Sequence, residues 1–218
     1  MFLVLGLGNP EAKYVDTRHN VGFLVVDALA RRGMVSCDIS QHGALVNKIR
    51  MQSETVVLAK PQSYMNRSGG PGQMLRGYYK LDLDKVIVVH DELDLPFGAV
   101  RIKRGGGHGG HNGLRDLHQK FAAPDYLRVR VGIGRPPSGW KTANYVLGRW
   151  SNDEALALAD VVATAADAVT AIVQDGSGPA MNHFNIRPGR GRSTDASPSR
   201  AQAPEVNVQS SNSPGSPE

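Results

Sequence analysis

Short apolar runs of strand length alternate with segments of helical spacing through residues 2–175, and this alternation restricts the chain to an α/β architecture. FLVLG at 2–6 reads as a strand. VGFLVVDALARRG follows, with Val21, Leu24, Val25, Ala28 and Leu29 along one helical face and Gly33 as a stop. GALVNKIRM and ETVVLAK read as two further strands, PQSYMNRSGGPG as a turn and MLRGYYK as a helix. KVIVVHDEL is a strand ending in acids, AVRIKRG a basic strand, HNGLRDLHQKF a helix opening behind glycines, and YLRVRVGIG an alternating, half-buried strand. Ser151, with Glu154 three residues on, has the pattern of a capping box at the head of an Ala- and Val-rich helix over 151–175. The expectation is one globular α/β domain over residues 1–187, a twisted mixed β-sheet flanked by helices. From Pro188 to Glu218 the chain has no aromatic, Leu or Ile and is crowded with Ser, Pro and Gly. Such a segment cannot bury enough apolar surface to offset its ordering entropy, so a disordered tail is expected there.

The chain's charge is unevenly distributed. Residues 101–150 hold ten Lys or Arg against two Asp, a net of +8, whereas residues 1–100 come to +1, residues 151–187 to −4 and the tail to zero. A basic excess confined to one segment is the footprint expected of a polyanion site. The early apolar run Phe2–Leu5 is shorter than the roughly 7–15 residues of a signal h-region and has no positive charge before it. The single cysteine, Cys37, agrees with a reducing compartment. The expectation is therefore a cytoplasmic protein with no membrane partner.

GLGNPEAKYVDTRHNVG at 6–22 opens like a dinucleotide-binding loop, but Glu11 stands where the third glycine should be and Pro10 removes a backbone donor. A nucleotide-cofactor enzyme is thereby disfavoured. The glycines instead suggest a tight turn that places Asn9, Tyr14 and His19 beyond the carboxyl end of the first strand, where α/β sites lie. No nucleophile elbow or P-loop occurs, and His108 and His111 in GGGHGGHNG have no Cys or nearby third ligand, so no metal and no cofactor are expected. What remains is a dispersed polar set at strand ends and glycine turns: Asn9, His19, Asn66, Asp91 and Asn112.

Four blocks in order, GLGNPEAKYVDTRHNVGF, KPQSYMNRSGG, DELDLPFGAVRIKRGGGHGGHNGL and RVRVGIGRP, closely resemble the bacterial peptidyl-tRNA hydrolases over residues 2–186. The chain departs from that pattern at Gly107-His108, where the family more often has a small second residue, and in the tail. The resemblance implies hydrolysis of the ester joining a peptide to tRNA, with His19 as general base on water and Asp91 as the carboxylate that orients it. It implies catalytic and substrate-positioning roles for the carboxamides of Asn9, Asn66 and Asn112, with one of them and a backbone N–H steadying the oxyanion. Tyr14 and Met65 resemble residues lining the site, and Lys103 and Arg130 a clamp on the tRNA 5′-phosphate. The implied partner is tRNA, bound by a monomer. The alternative is a catalytically silent RNA-binding relative of the splicing-factor type, which intact Asn9, His19 and Asp91 argue against.

Overall fold

The computed structural model describes residues 1–186; the expected tail over 188–218 lies outside the described residues. The seven strands β1 (Phe2–Gly6), β2 (Ile39–Gln41), β3 (Ala44–Met51), β4 (Glu54–Pro61), β5 (Val86–Glu92), β6 (Val100–Arg104) and β7 (Leu127–Gly132) form one sheet in the order β2-β3-β4-β1-β5-β7-β6. The four central strands are parallel, while β2, β3 and β6 join antiparallel at the two edges, which makes the sheet mixed as expected.

Helices cover both faces, and period-2 side-chain alternation divides the core accordingly. Phe2, Val4, Ile87, Val89, Val129 and Val131 pack with α1 (Val21–Arg32), α5 (Asn152–Asp175) and α6 (Ser177–Phe184). Leu3, Leu5, Val86 and Val88 pack on the opposite face with α2 (Gly69–Tyr78) and α3 (Asn112–Phe121). Leu3 and Leu5 are 0% exposed, and full burial of such a side chain contributes about 1.5–3 kcal/mol. The α5 helix is 24 residues long and apolar enough to cross a membrane by length and composition. Its buried side, Val161, Val162, Ala165, Ala168, Val169 and Ile172, lies in the first of these two cores. Ser151 and Glu154 form the reciprocal capping box at its head.

Three local expectations differ from the structure. The α2 helix begins at Gly69, inside the expected turn, because Pro71 falls in its first turn, where no intrahelical N–H is needed. Gly69 also stands so close to α3 that a Cβ there would lie 2.5 Å from the Asp116 carbonyl oxygen. The alternating β7 is buried along all but Arg130: Leu127, Val129 and Val131 face the α5 core, and Arg128 on the other face is covered by the Gly105–Gly107 loop, whose carbonyls it bonds. The short elements β2, α4 (Thr142–Val146) and α6 gave no periodic signal.

Candidate active site

The carboxyl ends of β4, β1 and β5 lie side by side, and the segments leaving them carry most of the polar residues singled out above. Gly6 and Gly22 bring α1 hard against the end of β1: a Cβ on Gly6 would lie 2.3 Å from Gly22 O, and one on Gly22 2.4 Å from Leu7 N. Gly8 makes similar room for the Phe23 ring, at 2.7 Å. Neither Gly6 nor Gly8 has a positive φ, so these glycines permit close helix–strand approach rather than the tight turn expected of them. The 3₁₀ turn Arg18–Asn20, just ahead of α1, is thereby held beside β5. Arg18 locks it from the other side, donating to Tyr145 O (3.4 Å), Arg149 O (2.6 Å) and the Glu154 carboxylate (2.6 Å).

His19, 8% exposed, directs Nδ1 at the Asp91 carboxylate, 2.8 Å from Oδ1 and 3.0 Å from Oδ2. A carboxylate facing Nδ1 assigns the proton to that atom and leaves the Nε2 lone pair unprotonated. A second imidazole shares the same carboxylate: His111 Nε2 lies 3.0 Å from Asp91 Oδ1. His111 is also the N-cap of α3, its Nδ1 accepting from the N–H of Gly113 (3.2 Å) and Leu114 (3.4 Å). Because the cap requires a lone pair on Nδ1, the His111 proton sits on Nε2 and is donated to Asp91. Burial would raise the Asp91 carboxyl, but the electrostatic attraction and hydrogen bonds of the two imidazoles outweigh it and hold the group below the usual carboxylate range. The neighbouring His90 is neutral: burial first, and His111 second, push its pKa down to about 3.

His19, Asp91 and His111 have ligand-type atoms within 4.8 Å of one another, so the fold groups His111 with two residues distant in sequence instead of with His108. His108 takes no part in that trio, since its Nδ1 accepts the Gly110 N–H at 3.1 Å. As hydrogen-bonded, both imidazoles turn an N–H toward the Asp91 carboxylate, and His111 could ligate through Nε2 only by giving up the α3 cap.

Asn9 is clasped through its backbone by the side chain of Asn20, whose Oδ1 accepts from Asn9 N (2.8 Å) and whose Nδ2 donates to Asn9 O (2.9 Å). Its own Oδ1 accepts the Met65 N–H at 2.8 Å, which leaves the Asn9 NH₂ as the donor available to a ligand. Asn112, the first residue of α3, has its Oδ1 held by Arg115 at 2.9 Å and likewise keeps its NH₂ free. Asn20 and His111 bond directly to Asn9 and Asp91 and so belong to the candidate site, although sequence reasoning assigned neither; both adjoin residues that it did.

Two adjoining clefts of about 400 and 480 Å³ open on this centre and share His19, Asn112, Ala143 and Val146. Asp91, Glu92 and the His108–Asn112 loop line the first; Asn9, Tyr14, Tyr64, Met65, Asn66 and Arg115 line the second. The structure thus gathers Asn9, Tyr14, His19, Met65, Asn66, Asp91 and Asn112 in one region. Lys103 and Arg130 line neither cleft. They project from the same face of the β6–β7 edge, diagonal to each other, since Lys103 pairs with Arg128 and Arg130 with Arg101. Lys103 is exposed, and Arg130 donates Nε to Glu92 at 2.9 Å.

Residues 3–193 match the family model described as Peptidyl-tRNA hydrolase. The chain is 48% identical over 184 residues to the peptidyl-tRNA hydrolase of Frankia casuarinae, a match covering 84% of this chain and 93% of that protein. It is 48% identical over 191 residues to that of Kineococcus radiotolerans, covering 84% and 96%. The crystal structure of peptidyl-tRNA hydrolase from Acinetobacter baumannii matches with a TM-score of 0.80 at 35% identity, covering 85% of this chain and 95% of that one.

Proposed function

The chain belongs to the peptidyl-tRNA hydrolase family and cleaves the ester between peptide and tRNA, and we propose that His19 is the general base of that hydrolysis. His19 Nε2 takes a proton from water as the water oxygen attacks the ester carbonyl. Asp91 keeps the ring in the tautomer that leaves Nε2 basic, and it stabilises the imidazolium that forms. The tetrahedral intermediate collapses with release of the ribose oxygen, which takes the proton back from His19. An ester is a sufficiently good acyl donor that water suffices and no serine is required.

The Asn9 and Asn112 NH₂ groups serve as donors to the developing oxyanion and to peptide carbonyls, because their own oxygens are already engaged. Donation to main-chain groups is indifferent to side chains, as an enzyme acting on every nascent peptide requires. Asn66, Tyr14 and Met65 line the peptide side. Lys103 and Arg130 grip the 5′-phosphate, the Glu92 contact with Arg130 Nε leaving its terminal nitrogens for the anion. The protein acts as a cytoplasmic monomer without metal or other cofactor.

The observation carrying this reading is the buried His19–Asp91 pair at 2.8 Å, set where the two clefts meet. A release assay on N-acyl-aminoacyl-tRNA tests it. Activity should persist in EDTA, and Asp91→Asn should lower turnover on the order of 10²–10⁴-fold by presenting the wrong hydrogen-bonding pattern to the ring. Activity that collapses in chelator and returns with zinc would make the trio a metal site instead.

A further inference from the structure

Resting on the tRNA reading above, we propose that the backbone N–H groups of Gly106, Gly107 and His108 carry the phosphodiester strand of the unpaired tRNA 3′ end from the Lys103 clamp to the His19 centre. The loop that bears them runs from β6 to α3, and so from Lys103 to His111 and Asn112. Arg128 sets its conformation. This side chain is 2% exposed, and its guanidinium donates to the carbonyls of three consecutive residues, Gly105, Gly106 and Gly107, the last at 2.8 Å. No peptide bond here is cis, so each carbonyl turned in toward Arg128 turns the next N–H away from it. The amides of Gly106, Gly107 and His108 therefore face outward.

These three donors are unused. Gly105 N–H donates to Tyr126 O and Gly110 N–H to His108 Nδ1, but among the described residues nothing accepts from Gly106, Gly107 or His108 N–H. Gly106 and Gly107 are exposed, and the Lys103 ammonium stands over the first of them, 2.8 Å from where a Gly106 Cβ would be. Positive φ at Gly105 (63°) and Gly106 (86°) reserves those places for glycine. Because the carbonyls converge on one cation, the amides diverge. Diverging donors suit successive acceptors along a strand rather than one compact anion. The substrate has that form: its 5′-phosphate and its 3′ ester belong to one acceptor end, and the unpaired 3′ strand must span the distance between Lys103 and His19.

Gly107 allows a main-chain test. Its φ is not positive, and a Cβ there would meet nothing within 4 Å, so Gly107→Ala keeps the N–H while Gly107→Pro removes it. The readout is the ratio of kcat/KM for peptidyl-tRNA to that for a peptidyl ester of adenosine, which lacks the strand. Gly107→Pro should lower this ratio about tenfold, the loss expected for one hydrogen bond to a charged acceptor, and Gly107→Ala at most about twofold. On peptidyl-tRNA with neutral methylphosphonate linkages in the unpaired 3′ strand, the proline penalty should fall below about twofold. Equal losses for Ala and Pro, an unchanged ratio for Pro, or a penalty that survives the neutral linkages would overturn the assignment. Wild-type protein unable to release peptide from tRNA would overturn the hydrolase reading and this inference with it.

Discussion

His90 gives the structure a measurable acid sensitivity. Its ring is 1% exposed and donates Nδ1–H to Asp91 O at 2.7 Å, and burial holds its pKa at about 3. In the unfolded chain the same ring titrates near its ordinary value of about 6.5. Between those limits the unfolded state binds one proton more than the folded state, so stability falls as pH falls, by about 1.4 kcal/mol per pH unit. From pH 6 to 4.5 this amounts to about 2 kcal/mol. Asp91, whose pKa is also depressed, contributes with the same sign, but mainly below about pH 4.5, since an unfolded aspartate begins to take up its proton near pH 5 and is half protonated at about 3.9. His118 and Glu154 have depressed pKa values too and titrate in or near this window, but they are common to wild type and to a variant lacking His90, so the difference between the two proteins isolates the His90 share. The variant His90→Leu removes the titrating group and the bond to Asp91 O, so it should be less stable than wild type at pH 7. Urea unfolding at steps between pH 6 and 4.5 should show the gap between the two proteins narrowing by about 2 kcal/mol. A gap that stays constant across this window would mean that His90 titrates alike in both states, and the burial argument would be wrong.

Two further outcomes concern substrate contacts. Asn9→Asp keeps the oxygen that accepts from Met65 N–H but loses the NH₂ donor, so kcat on N-acyl-aminoacyl-tRNA should fall about 10²–10³-fold with an unchanged melting temperature; a loss confined to KM would remove Asn9 from the oxyanion. Lys103→Ala should reduce the slope of log affinity for tRNA against log salt by roughly 1 while changing cleavage of a peptidyl-adenosine ester little, and comparable damage to both substrates would place Lys103 in the catalytic site or the fold.

The strands were legible because their apolar runs are buried by long-range pairing that demands those residues, and α5 because its capping box is a local device. Asn9, His19 and Asp91 were legible as polar residues at strand ends, and the roles proposed for them come from the resemblance of the matched blocks. His111 was not, because its function combines two things absent from linear spacing: the cap on α3 and a hydrogen bond to a carboxylate twenty residues earlier. The eye goes to its partner in spacing, His108, which faces its own loop. Asn20 was hidden for a similar reason, since it acts by clasping the backbone of Asn9 across eleven residues. In LRVRVG the alternation implies a half-buried strand, but the structure turns Arg128 inward onto three glycine carbonyls and leaves Arg130 alone partly exposed. The glycines of α2 read as a turn because propensity is local, whereas their helical use depends on the close approach of α3.

The central claim is that His19 activates water and that tRNA binding resides elsewhere, on the basic β6–β7 edge. The most direct measurement is to compare wild type and His19→Ala for single-turnover release of peptide from N-acyl-aminoacyl-tRNA and, on the same preparations, for tRNA affinity at fixed salt. Release should be abolished while tRNA affinity changes less than about twofold. Release that persists near the wild-type rate, or a loss of affinity as large as the loss of turnover, would contradict the assignment of His19 as the general base.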